Sequence, residues 1–67
     1  MERELLLGFE SKFVSVLRRE SESGKTFMTH GRLAKILGDC VLLVRNDQQE
    51  IIPISSIEYV RLQEGRA

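Results

Sequence analysis

Apolar side chains in the second half of the chain fall in short runs. Leu33, Ile36-Leu37, Val41 to Val44, Ile51-Ile52, Ile54, Ile57 and Val60 are separated by glycine or polar turns. β-Branched density in runs of this length predicts strands, which we place over residues 26–37, 40–46, 50–54 and 57–63. Gly38-Asp39 and Asn46-Asp47-Gln48-Gln49 supply the turn chemistry between them. Ser55-Ser56 makes a tight corner before the last strand.

Three positions refine this pattern. Gly31 lies inside the first of these strands, and the apolar positions after it, Leu33 and Ile36, are three apart where a flat strand gives two. A glycine followed by broken alternation predicts a bulge that bends the strand. Val41 to Val44 is apolar at every position, which predicts a central strand covered on both faces. Pro53 lacks a ladder donor, so the strand over 50–54 is expected at an edge.

The first 25 residues admit two readings. Leu6, Phe9, Phe13 and Val16 have the three-and-four spacing of one helix face running past residue 16. Alternatively, a short helix over residues 2–8 begins with Glu2 and Glu4 at its positive end and closes near Gly8, and a strand follows over 12–20. The Phe13-Val14-Ser15-Val16-Leu17 run and the hairpin-like Ser21-Glu22-Ser23-Gly24 favour the second reading. The expected fold is therefore mainly β: one short helix, then a five-stranded, strongly bent antiparallel barrel over residues 12–63. Phe13, Leu33, Val41, Leu43, Ile52, Ile54 and Ile57 are the expected core, in a single domain over residues 1–67.

That order of elements resembles the Sm-like fold, the small barrel of the LSm and Hfq proteins, and SH3-like barrels share much of it. The residues that carry the resemblance are Gly31-x-Leu33, Asp39-Cys40-Val41-Leu42-Leu43, Val44-Arg45-Asn46 and the segment from Ile52-Pro53-Ile54 through Ser55-Ser56-Ile57 to Val60. The pattern is most similar to that of small Sm-like proteins of spore-forming bacteria. The resemblance implies a ring of identical subunits, RNA as a partner, and a ligand-facing loop at Asp39. It also places Ser55 and Ser56 at the pore. The chain departs from the family where Hfq has a Lys-His pair, since Ile54-Ser55 stands there, and where the second Sm motif has Arg-Gly, since Ser55-Ser56 stands there. The uracil-pairing Asn of the Sm motif falls on Leu42 or Leu43.

Composition narrows the function further. In 67 residues, 42% apolar and 30% charged, a folded domain is expected, but one that buries only about 60% of its unfolded surface. Self-association is a natural remedy. Ten basic residues balance ten acidic ones, so no basic arm exists to hold nucleic acid by charge alone. Arg18, Arg19, Lys25, Arg32, Lys35 and Arg45 are the densest cations, and Arg45 and Tyr59 are candidate phosphate and base contacts. Asp39 and the serine pair also have a plain reading, as residues that satisfy their own turns.

One cysteine and one histidine exclude an internal disulfide and fall short of a metal set; Cys40 and His30 read as packing residues. No phosphate loop, carboxylate pair or nucleophile motif is present, so no enzyme activity and no cofactor is expected. Leu5-Leu6-Leu7 is too short for a signal or a membrane span, and the chain reads as cytoplasmic. Two functions stand: an Sm-like RNA-binding ring, or a structural or protein-interaction barrel that binds no nucleic acid. The ring follows from the strand over 50–54 of one subunit pairing with the strand over 57–63 of the next.

Overall fold

In the computed structural model, which describes residues 2–63, helix α1 (Arg3–Leu6) and a 3-10 turn (Leu7–Phe9) precede five strands. These are β1 (Phe13–Arg19), β2 (Thr26–Leu37), β3 (Cys40–Arg45), β4 (Gln48–Pro53) and β5 (Ile57–Leu62). They form one antiparallel sheet in the order β4-β3-β2-β1-β5. The expected fold class is what the chain adopts, with helix, strand and turn in the expected sequence. Residues 1 and 64–67 of the expected single domain lie outside the described residues.

Local chemistry sets the turns. Gly24 (φ 73°) and Gly38 (φ 62°) take left-handed conformations that a side chain disfavours, and each sits in a turn between adjacent strands. At the first, the Gly24 and Glu20 amides donate to the carbonyls of Glu20 and Lys25 at 2.8 and 2.7 Å. The helix is shorter than the expected 2–8 because its backbone tightens to 3-10 geometry at Leu7. A single turn is not self-supporting, and burial of Leu6 in the core anchors it.

The core contains Leu6, Val14, Val16, Leu33, Val41, Leu43, Ile52, Ile54, Ile57 and Val60. Six of the seven expected core residues are among them; Phe13 is not, and is 46% exposed. The β1 run has two apolar rows, Val14-Val16 and Phe13-Leu17. The valine row faces inward opposite Gly31 and Thr29, which turns Phe13 to the outer face opposite Arg32. The same alternation corrects the reading of Val41 to Val44. Val41 and Leu43 are buried, whereas Leu42 and Val44 are only half covered on the outer face. The central position belongs to β2, and β3 lies next to the edge.

Bending comes from an irregularity in β2. The register shifts between Leu33 and Lys35, leaving Ala34 unpaired and producing the three-residue spacing from Leu33 to Ile36. The bulge is thus three residues beyond Gly31. Glycine at 31 instead lets β3 approach, since a Cβ there would lie 2.9 Å from the Val44 carbonyl oxygen. Residues before β1 brace the bulge, as the Ser11 amide donates to the Leu33 carbonyl (2.7 Å) and the Leu33 amide to the Lys12 carbonyl (2.9 Å).

An ion pair marks how far the sheet curls. Arg18 on β1 donates from Nη1 to Glu50 Oε2 on β4 at 2.5 Å, although three strand spacings, about 14 Å, separate these strands in a flat sheet. Arg18 also lies over the Phe27 ring, 4.9 Å from its centroid. Its side chain is only 16% exposed, and its buried Nε has no partner among the described residues. Glu50→Ala leaves this guanidinium without its counter-ion and is expected to cost about 1–2 kcal/mol. Urea unfolding reads it, and an unchanged midpoint would show that the pair contributes nothing.

Candidate functional site

Three chain segments converge at one end of the curled sheet. The Gly38-Asp39 turn, the Pro53-Ile54-Ser55 corner and Arg3 of α1 line a shallow cleft there of about 400 Å³. The two turns are tied through backbone, with the Ile54 amide donating to the Asp39 carbonyl at 2.8 Å. The corner itself is a 3-10 turn over Ile54–Ser56, with Ile54 buried as its anchor. Ser56 Oγ donates to the Pro53 carbonyl at 2.8 Å and so closes its own turn. Ser55 is exposed in the cleft.

Asp39 behaves differently from the turn-capping expectation. Its backbone carbonyl secures the turn, while the carboxylate makes no hydrogen bond among the described residues and stays exposed at the cleft. Asp39 and Ser55 are therefore brought together, as two turns far apart in sequence meet, whereas Ser56 does not line the cleft. Nothing in the sequence pattern singles out Arg3. It supplies a cation beside Asp39, and its place follows from how the helix packs, which no local pattern encodes.

Tyr59 and Arg45 lie elsewhere. Tyr59 is on β5, opposite Leu17, with its hydroxyl accepting from Arg61 Nη2 at 3.0 Å and the Arg61 guanidinium 5.4 Å from its ring centroid. Arg45 ends β3 and lines two adjoining clefts with His30. The cation cluster read from sequence is also divided: Arg18 is paired with Glu50, and Arg19 Nε donates to Glu58 Oε2 at 2.9 Å.

That hydrogen bond, with the attraction of opposite charges, holds the Glu58 carboxyl below the ordinary carboxylate range and raises Arg19 further. A depressed carboxylate favours the fold above its unfolded-state titration and loses that effect as pH falls through the folded one. Both groups are solvent-exposed, so salt screens the pair.

His30 and Cys40 do not form a nucleophile pair. Cys40 is opposite Leu37, seven residues along β2 from His30, which is roughly 20 Å of strand. Its thiol contacts the Leu37 carbonyl at 3.5 Å. Among the described residues, no group of three or more His, Cys, Asp or Glu is placed to hold a metal. No helix among them is long and apolar enough to cross a membrane.

Comparison of the chain with protein-family models, curated proteins and solved structures returns no match. The fold and its clefts therefore carry the functional reading.

Proposed function

We propose that the chain is a non-enzymatic Sm-like module that closes into a ring through its two edge strands and binds single-stranded RNA at the Arg3-Asp39-Ser55 cleft. The observation that carries this reading is the strand order. β4 and β5 are the two ends of the sheet, and the cleft-forming corner over Ile54–Ser56 joins them directly. Pairing β4 of one copy with β5 of the next satisfies both edges and repeats the cleft around the axis. Arg3 offers a phosphate contact, while the Asp39 carboxylate and Ser55 hydroxyl offer acceptors and a donor to base edges.

A second reading, a structural or protein-interaction ring without RNA, draws support from the balanced charge and from the carboxylate in the cleft. Titration with oligouridine and oligoadenine at two salt concentrations separates the two. The RNA reading expects saturable binding with a base preference that survives higher salt, and at least a fivefold loss in Arg3→Glu. Binding that vanishes with modest salt and prefers neither base is weak electrostatics, and would favour the second reading.

A further inference from the structure

Away from the Asp39 and Ser55 turns, a polar triangle joins β1, β2 and the residue that follows β5. Ser15 on β1, 8% exposed, donates from Oγ to Gln63 Oε1 at 2.9 Å and lies 2.9 Å from His30 Nδ1 on β2. His30 Nδ1 is also 3.0 Å from Gln63 Oε1. Since the Ser15 proton and the carboxamide oxygen are thereby committed, the network assigns the ring proton to Nδ1, which donates to both. Two consequences follow for the surface. In the neutral imidazole this leaves Nε2 free to accept, and the Gln63 carboxamide, held through its oxygen, keeps its NH2 as a donor.

His30 and Gln63 line a cleft of about 260 Å³ with Phe13, Gly31, Arg45 and Asn46. Among the described residues, no carboxylate lines it. An adjoining cleft of about 350 Å³ shares His30 and Arg45, and its one carboxylate among the described residues, Glu50, is engaged by Arg18. Together the two reach the size of small-ligand sites. Arg45 has no ion pair or hydrogen bond among the described residues, while Arg18, Arg19 and Arg61 all have partners. Asn46 takes a left-handed conformation (φ 55°) at the turn where β3 ends, and lines the cleft with Arg45.

A cleft that holds, among the described residues, a guanidinium without a carboxylate partner, two carboxamides, an imidazole and an aromatic wall suits a ligand that is both anionic and planar. We propose that this cleft binds a nucleoside monophosphate group: Arg45 takes the phosphate, His30 Nε2 accepts from a ribose hydroxyl, and the Asn46 and Gln63 amides meet the base edge. The chemistry is shared by a free nucleotide and by the 5′-phosphorylated end of an RNA. The site is separate from the Arg3-Asp39-Ser55 cleft and stands whether or not that cleft binds RNA.

Amide chemical-shift titration of the full chain tests it, using adenosine 5′-monophosphate, adenosine, and a short oligoribonucleotide with and without a 5′-phosphate. Saturable shifts centred on His30, Arg45, Asn46 and Gln63 are expected. Adenosine should bind at least tenfold more weakly than the monophosphate, and Arg45→Gln should lose at least tenfold in affinity with an unchanged melting temperature. Tighter binding of the 5′-phosphorylated oligonucleotide than of the monophosphate identifies an RNA end as the source; equal or weaker binding identifies the free nucleotide. Absence of saturable shifts, equal binding of adenosine, or an Arg45→Gln variant that binds normally would overturn the proposal. Shifts centred on Asp39 and Ser55 would overturn it too, and would credit the other cleft instead.

Discussion

Leu33→Ala should lower the melting temperature by at least 10 °C and leave a substantial unfolded fraction at 37 °C. Leu33 is fully buried in the middle of β2, at the residue where the bulge begins and where the segment before β1 is bonded on both sides of its peptide. Truncating a buried leucine removes transfer free energy and leaves a cavity, together costing about 2–5 kcal/mol. A chain of this length has a total stability of roughly 3–10 kcal/mol, so the loss is a large fraction of the whole. At about 4–8 °C per kcal/mol for small domains, the melting temperature moves by roughly 10–40 °C. Phe13→Ala is the paired control. Facing outward at 46% exposure, Phe13 withdraws only about half of its ring from water, and its truncation should cost about 1 kcal/mol, well below the loss at Leu33. Thermal melts followed by circular dichroism at fixed protein concentration compare the two. Equal losses would mean that β1 presents its other face to the core.

Ile51→Pro should take the proposed ring apart and leave the subunit folded. Pro53 has no amide hydrogen and pairs with Cys40 on β3. In an antiparallel ladder, bonded and non-bonded pairs alternate. With Pro53 at a non-bonded position, Ile52 and Glu50 point their amides at β3, and Ile51 points its own away from the sheet. The Ile54 amide donating to the Asp39 carbonyl fits the same alternation. A proline at 51 thus removes a donor only from the open edge, where proline is tolerated. It also replaces a side chain that is 60% exposed in one subunit. Ile52→Pro is the opposite case: it deletes a bond to β3 and a fully buried side chain, and is expected to unfold the domain. A folded Ile51→Pro monomer beside an unfolded Ile52→Pro chain distinguishes loss of assembly from loss of fold.

The strands are legible in the sequence because β-branched runs alternate with glycine and polar turns, and Pro53 correctly places β4 at an edge. The facing of β1 is not legible. Both of its rows are apolar, and what selects the valine row is the small inward surface of Gly31 and Thr29 across the ladder. The spacing of Leu33 and Ile36 announces a bulge, yet the pattern points to Gly31 as its seat, because glycine signals both a bulge and a close backbone approach; here it serves the second use.

The candidate sites divide in the same way. Asp39, Ser55 and Ser56 stand out because turn residues announce themselves locally. Arg3 and the Ser15-His30-Gln63 triangle are invisible in the sequence; the partners within the triangle are 15 to 48 residues apart and meet only once the sheet has curled.

The proposed ring and its repeated cleft both depend on pairing of the two open edges between copies. Light scattering behind a sizing column at micromolar concentration tests this most directly. The mass expected for the wild-type chain is a single closed multiple of 7.7 kDa, collapsing to one subunit in Ile51→Pro. A wild-type protein that elutes folded and stable at 7.7 kDa would contradict it.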